Sequence, residues 1–501
     1  MRSHIIGQAE RESYSCFTYF QKIMPWYTGL LLILVTMLTP VSKAANLPLI
    51  SIQNSAGMSI EDEYRFGNLI AGSIHKQLPL WHDLAALEFI SDLTQPLVSR
   101  SQLSNKNIQL FIIHDSNINA FAAPGGIIAV NTGLIRQSGS VDELVAVLSH
   151  EVAHLSLRHY VQTLAQEQAI APLYLGAVIA SIWLAGNVNG DIGEAGFYAT
   201  QTALQRSQLS YSRVHEREAD RIGFDLMNRS PFDVAQMKTL LERLQSPYVA
   251  ESPHWEWARS HPINNERVAD IGQRISSIQA YHKKHGFELG FSLLKIHQAI
   301  SLSSTPLPTV EKLLQGSDPL HEHYSTLREF SQALLNKRNG NLTLASKQLQ
   351  KLSLKHPNSQ LIWYRWMLSL LEEKKTKNVL KQLKVRQLQR QEDSLTLWVN
   401  ALALRENNDI SKATDQLLKL LDKQPMWILG WRTLAEWSAA DNRFQMYHMA
   451  QSQWHLMRGE AQLALKQANY AGQQKEDLQA GSVSVQRQKA LDFLADQTEF
   501  N

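Results

Sequence analysis

A chain of 501 residues, 44% of them hydrophobic, has enough apolar material for two or more packed domains. Its 49 basic and 46 acidic side chains leave a formal charge of +3, which gives no basic footprint and argues against a nucleic-acid partner. The single cysteine, Cys16, excludes a disulfide framework and a metal site built on thiolates.

Residues 28–39 form an apolar stretch shorter than the about 20 residues a membrane span needs. Ser42-Lys43-Ala44 then places small residues where a signal peptidase tests them, so residues 1–44 read as a signal peptide cleaved after Ala44. The leader ahead of the apolar core is long and mixes Arg2, Arg11 and Lys22 with Glu10 and Glu12, which makes Met24 an alternative start. An uncleaved anchor is the competing reading. Cys16 lies in this leader, so the mature chain is expected to have no cysteine.

Pro124-Gly125-Gly126 is a turn signal, and Ile127-Ile128-Ala129-Val130 after it is a β-branched, strand-prone run. A strand can take an extended peptide as an added neighbour through backbone hydrogen bonds alone, so Ile127, Ile128, Ala129 and Val130 are the candidate substrate strand. An ordinary internal strand is the alternative.

Chemistry enters at His150-Glu151-Val152-Ala153-His154. Side chains four apart share a helix face, so His150 and His154 can grip one Zn²⁺, with Glu151 placed to act on the attacking water. The apolar run Leu144 to Leu148 buries that helix. His159 falls off the metal-facing stripe of a continuous helix and reads as a core or second-face histidine. The uncharged residues 169–186 are of borderline length for a span. Metal-binding segments on both sides of them must meet at one ion, so they read as a buried helix or an apolar lip touching substrate or membrane. The glycine-rich residues 186–196 read as a loop near the site.

In Val214-His215-Glu216-Arg217-Glu218-Ala219-Asp220, a helix puts Glu216 and Asp220 on one face, one turn apart. Glu216 would complete a His₂Glu set, and Asp220 would accept the free N–H of a ligand histidine. Glu218 is the competing ligand. A solvated, charged helix face is the bland alternative for the whole segment.

The pattern H-E-x-x-H (His150, Glu151, His154) followed by E-x-x-x-D (Glu216, Asp220) resembles the gluzincin metallopeptidases of the HtpX and CAAX-prenyl-protease group, above all its secreted BepA-like branch. Residues 119–134, and Ser260-His261-Pro262 with Arg267, are similar to further segments of that family. The resemblance implies one Zn²⁺ per chain on His150, His154 and Glu216, with Glu151 and Asp220 as the catalytic carboxylates. It also implies that His261 approaches the zinc from a loop and restrains activity. By position, His261 and Arg267 are candidates for steadying the transition state, an ion-pairing role being the alternative for Arg267. The implied function is an endopeptidase of outer-membrane protein quality control in the periplasm. It would promote assembly of β-barrel proteins, degrade stalled or unfolded ones, and work beside the barrel-assembly machinery. The competing function is a periplasmic chaperone or adaptor with a latent protease. The absence of mature cysteines argues against carrying over redox-linked features of relatives.

Residues 301–309 carry two prolines and no periodicity, which marks a domain boundary and a linker over 301–322. Beyond it an offset of 68 residues aligns Ala345 with Ala413, Leu349 with Leu417, Leu352 with Leu420, Pro357 with Pro425 and Trp363 with Trp431. Half that offset is the tetratricopeptide period of about 34 residues, and residues 323–470 resemble such repeats. The middle copy registers less well, with Leu383 in the Leu349 position. Trp363, Trp398, Trp431, Trp437 and Trp454 either line a concave binding surface or pack between helices. Residues 471–501 read as a polar tail, with Lys489 to Leu494 as one last helix. The expected fold is α+β and mainly α: a zinc-protease domain with a small sheet over 45–300, then an all-α solenoid.

Overall fold

The computed structural model describes residues 58–166, 212–246, 254–278, 285–303, 307–315, 322–389, 392–474 and 480–499. The expected signal peptide, the apolar segment 169–186 and the glycine-rich stretch 186–196 lie outside the described residues. Helices α1 (Ile60–Gln77) and α2 (Leu84–Arg100) each start on a side-chain cap. Ser59 accepts from the Asp62 N–H and Asp83 from the Ala86 N–H. Strands β1 (Gln109–Ile113), β2 (Ala120–Ala123) and β3 (Ile127–Asn131) then form one sheet in the order β1-β3-β2. The β2–β3 turn has φ of 77° at both Gly125 and Gly126. Gly125 also lies so close to Gly67 of α1 that a β-carbon on either would collide with the other.

This sheet corrects the reading of Ile127, Ile128, Ala129 and Val130 as a substrate strand. β3 pairs in parallel with β1 and antiparallel with β2, and all five of its residues are buried. It has no open edge for a peptide; its apolar run serves an inner strand covered on both faces. Among the described residues, β2 has one side that no strand pairs with, and that strand lies beside the helix carrying His150.

Among the described residues the first half continues with helices α3 (Thr132–Gln137), α4 (Val141–Leu157), α5 (His159–Gln166), α6 (Arg213–Asn228), α7 (Ala235–Leu244), α8 (Glu256–Ser260), α9 (Asn265–Ser277), α10 (Glu288–Ser301) and α11 (Val310–Leu313). α4 is apolar on most sides because it is packed on most sides, against α2, β2, α6 and α7. The expected linker is partly structured: α10 runs into it, and α11, capped by Thr309, packs against the next helix.

Among the described residues the second half is a run of ten helices: α12 (Tyr324–Arg338), α13 (Leu342–Lys355), α14 (Gln360–Glu372), α15 (Thr376–Gln389), α16 (Ser394–Glu406), α17 (Ile410–Lys423), α18 (Ile428–Ala440), α19 (Phe444–Met457), α20 (Ala461–Gln473) and α21 (Ala480–Glu499). Leu342, Thr376, Ile410 and Phe444 open α13, α15, α17 and α19 at steps of 34 residues. Two residues before each, Gly340, Lys374, Asn408 and Asn442 adopt φ of 84°, 60°, 62° and 58°, the left-handed turn that lets one helix double back on the next. The middle copy is in register despite its weaker sequence: Val379 and Leu383 are buried like Ala345 and Leu349. Trp363, Trp398 and Trp437 pack between helices, with Arg386 over the Trp363 ring and Trp398 stacked on Trp437. Trp431 donates to the Pro425 carbonyl and Trp454 lies under Arg458. The polar tail is mostly helix, because α21 buries Ala490 and Phe493 and pairs Asp496 with Arg65 of α1. Among the described residues no helix is long and apolar enough to cross a membrane.

The two halves are joined by a buried polar knot. Asp83, the cap of α2, pairs with Arg365 of α14 and accepts from Nε2 of His297 at 2.9 Å, while Nδ1 of His297 accepts from the Ser301 hydroxyl at 2.9 Å. Burial, then the Arg365 charge, holds His297 down to about 4. The folded chain therefore refuses a proton that the unfolded chain takes up below pH about 6.5. Stability is expected to fall as pH drops from about 6.5 to about 4, by roughly 3 kcal/mol from this residue. Urea unfolding at pH 7 and pH 4.5 checks it. His297→Gln should flatten the difference, and an unchanged difference would contradict it.

Candidate metal centre

Two helices build the site. Ser140 caps α4, accepting from the Glu143 N–H, and three turns later α4 presents His150 and His154 on one face. α6 crosses it at Gly223, where a β-carbon would stand 3.1 Å from the Ser149 carbonyl oxygen and 3.2 Å from the His150 nitrogen. That close approach brings Glu216 and Asp220 against the histidines.

Nε2 of His150 and Nε2 of His154 are 2.9 Å apart. The Glu216 carboxylate lies 3.4 Å from the first and 3.5 Å from the second. Nδ1 of His261, from the loop after α8, is 3.2 Å from Nε2 of His150 and 2.9 Å from Oε1 of Glu216. One donor atom from each of His150, His154, Glu216 and His261 lies within 4.8 Å of the others, and all four residues are buried. Nδ1 of His150 faces Oδ1 of Asp220 at 3.0 Å. With that nitrogen donating, the opposite one turns a lone pair toward the other donors. Lone pairs and a carboxylate converging in a buried space repel unless a cation sits among them, and nitrogen and oxygen donors without sulfur suit Zn²⁺.

The electrostatics agree. Burial disfavours charge on His150, but Asp220 and Glu216 outweigh it and raise its pKa to about 9. Burial drives His154 well below the usual imidazole range. Burial would raise Glu216, yet His261 and the other two imidazoles hold it well below the usual carboxylate range; burial would raise Asp220 as well, and Arg267 outweighs it and lowers it. A divalent cation held here would find ionised carboxylates in Glu216 and Asp220 and would take the place of the His150 proton.

Glu218, the competing ligand, points the other way, half exposed and 3.2 Å from Nε2 of His159. Arg267 is buried and committed. It grips Asp220 through Nε at 2.6 Å and Nη2 at 2.8 Å, and it reaches Glu216 through Nη1 at 2.8 Å. It also donates to the carbonyls of His261 and Pro262. Its guanidinium is thus spent on fixing α6 and the His261 loop, which corrects the expectation that it reaches a substrate oxygen. Sequence reasoning missed Trp257, whose indole N–H donates to Oε1 of Glu151 at 2.8 Å. No local pattern announces such a contact across 106 positions. The other oxygen of Glu151, Oε2, is buried and has no hydrogen-bond partner among the described residues.

Residues 88–275, from α2 into α9, match the model of Peptidase family M48. Over 276 residues the chain is 29% identical to the beta-barrel assembly-enhancing protease of Yersinia pestis, covering 54% of this chain and 56% of that protein. The protein of the same name from Escherichia coli K12 is 30% identical over 238 residues, covering 47% of this chain and 48% of its own. The mitochondrial metalloendopeptidase OMA1 of Schizosaccharomyces pombe is 29% identical over 204 residues, covering 41% and 57%. The chain spans about half the length of the curated relatives it matches. Residues 88–275 therefore form a Peptidase family M48 domain, built around a buried donor set that fits a zinc ion.

Proposed function

We propose that this chain is a zinc-dependent endopeptidase acting on unfolded or stalled outer-membrane β-barrel proteins, exported to the periplasm by a cleaved leader. The observation that carries the peptidase is the convergence of His150, His154 and Glu216 from two helices beside Glu151. Bound there, Zn²⁺ supplies a Lewis acid for a peptide carbonyl and for water. Glu151 takes the proton of the attacking water and returns it to the leaving amine; Trp257 holds Oε1, so Oε2 is the atom that does this. Asp220 fixes the tautomer of His150 and is itself fixed by Arg267. The unpaired side of β2, beside α4, is the place where an extended substrate would add as an antiparallel neighbour.

The helical array, with its 34-residue steps, supports a tetratricopeptide scaffold that presents barrel precursors, beside the barrel-assembly machinery, to the protease. The names of the bacterial relatives support the substrate class. One observation favours a second reading as well, a chaperone or adaptor with a latent protease: His261 stands in the donor set, where as a fourth ligand it would take the place of a water. Zinc-loaded wild type and His261→Ala, each given a denatured β-barrel precursor, test both. Slow cleavage by wild type and faster cleavage by the variant are expected, both abolished by a chelator. No cleavage by either at saturating zinc would leave only the adaptor.

A further inference from the structure

The two ligand histidines are supported differently. His150 sends its far nitrogen straight to a carboxylate, Asp220. His154 does not: its Nδ1 faces a third imidazole, with Nδ1 of His159 at 2.9 Å. That contact exists because α4 stops at Arg158, which takes the left-handed conformation with φ of 53° and ψ of 37°. The chain turns there, and His159, the first residue of α5, folds back under His154 rather than continuing round the helix. This break is what a reading of His159 on a continuous helix misses. His159 is fully buried, and its ring is held flat against His215 of α6, 4.4 Å between centroids at 16°. Its outer nitrogen, Nε2, lies 3.2 Å from Oε2 of Glu218, the carboxylate that points away from the metal.

We infer that His159 and Glu218 are positioning residues for the metal site, forming a relay in which Glu218 orients His159 and His159 orients His154. The inference rests on the reading of His154 as a ligand through Nε2. A neutral imidazole that ligates through Nε2 keeps its proton on Nδ1, so His154 donates and Nδ1 of His159 accepts. That fixes the tautomer of His159 in turn: its proton is on Nε2, where it donates to Glu218. The hydrogen bonds run in one direction from metal ligand to carboxylate. They lock the ring angle of His154 and raise its basicity, as Asp220 does for His150 without an intermediary. The sequence separates the two carboxylates by a single residue, and the helix sends them to opposite neighbours. Asp220 turns inward to one ligand histidine; Glu218 turns outward, with a side chain 49% exposed, and reaches the other through His159.

Zinc affinity tests this, measured on the full chain by competition with a chromogenic chelator for wild type, His159→Phe, His159→Asn, Glu218→Gln and His154→Ala. Thermal unfolding is followed for each variant. His159→Phe keeps the stacked ring but offers no acceptor, and it is expected to weaken zinc binding about 10- to 100-fold in a folded protein. His159→Asn restores an oxygen near the lost nitrogen and should recover most of that affinity. Glu218→Gln keeps a hydrogen-bond acceptor without the charge and should lose less than His159→Phe. The visible absorption bands of the cobalt(II)-loaded protein should shift in His159→Phe and return in His159→Asn, which a general packing defect does not produce. Wild-type affinity in folded His159→Phe, or an Asn variant as weak as the Phe variant, overturns the relay. If His159→Phe does not fold, unchanged affinity in Glu218→Gln overturns it instead. Zinc lost in His154→Ala but kept in His159→Phe sinks the relay alone; zinc kept in His154→Ala sinks the reading of His154 as a ligand.

Discussion

Glu151→Gln is expected to lower kcat/KM for an unfolded substrate by about 10²- to 10⁴-fold while leaving bound zinc and the melting temperature close to wild type. The substitution is nearly isosteric, and the amide oxygen can still accept from the Trp257 indole. What disappears is the basic oxygen at the Oε2 position, which no neighbour among the described residues occupies. Glu151 lies beside the metal donors but outside the group of four, so the metal has no reason to leave. Cleavage rates with metal analysis on the same preparation check this. Retention of more than a tenth of the activity would place the proton acceptor elsewhere, with His261, 3.5 Å from Oε1 of Glu151, the nearest alternative. The same variant separates the two functional readings in cells: if barrel assembly persists while degradation stops, binding is the main role.

Arg267→Met should give the largest loss of stability of any single change at the site. Arg267 is 1% exposed, and its guanidinium is the counter-charge for two carboxylates, Asp220 and Glu216, that are equally buried. Removing one partner of such a group leaves buried charge uncompensated, at a cost of about 3–5 kcal/mol. It also frees the carbonyls of His261 and Pro262, so the loop that carries His261 loosens with it. A divalent cation neutralises Glu216 independently, so the penalty should be smaller with zinc than without. Arg267→Lys should fall between, because an ammonium cannot hold Asp220 by two nitrogens at once. Urea unfolding with and without zinc measures all of this; a loss below about 1 kcal/mol in the metal-free Arg267→Met protein would contradict it.

How much of this was legible in the sequence depended on how local the cause was. His150 and His154 share a face because four residues are about one helical turn, and Glu216 and Asp220 share one for the same reason. The helical array announced itself through a period, and the period survives in structure even in the middle copy, which has Gln391 where the others have Pro357 and Pro425. What spacing could not show was anything decided by a break or a distant partner. The strand character of Ile127 to Val130 was readable, but its central place was not, because that is set by pairing with Gln109 to Ile113. The contact of His159 with His154 depends on one left-handed residue, Arg158, of a type that seldom takes that conformation. Trp257 reaches Glu151 across 106 positions, with nothing nearby in sequence to mark it, and the grip of Arg267 on Asp220, 47 positions away, is set by the fold rather than by spacing.

The most direct test is the metal itself. Elemental analysis of protein purified without chelators should find one zinc per chain in wild type, little in His150→Ala and Glu216→Ala, and the wild-type amount in Glu151→Gln. A folded wild-type protein free of zinc would contradict the account, and so would zinc lost in Glu218→Ala far more than in Glu216→Ala.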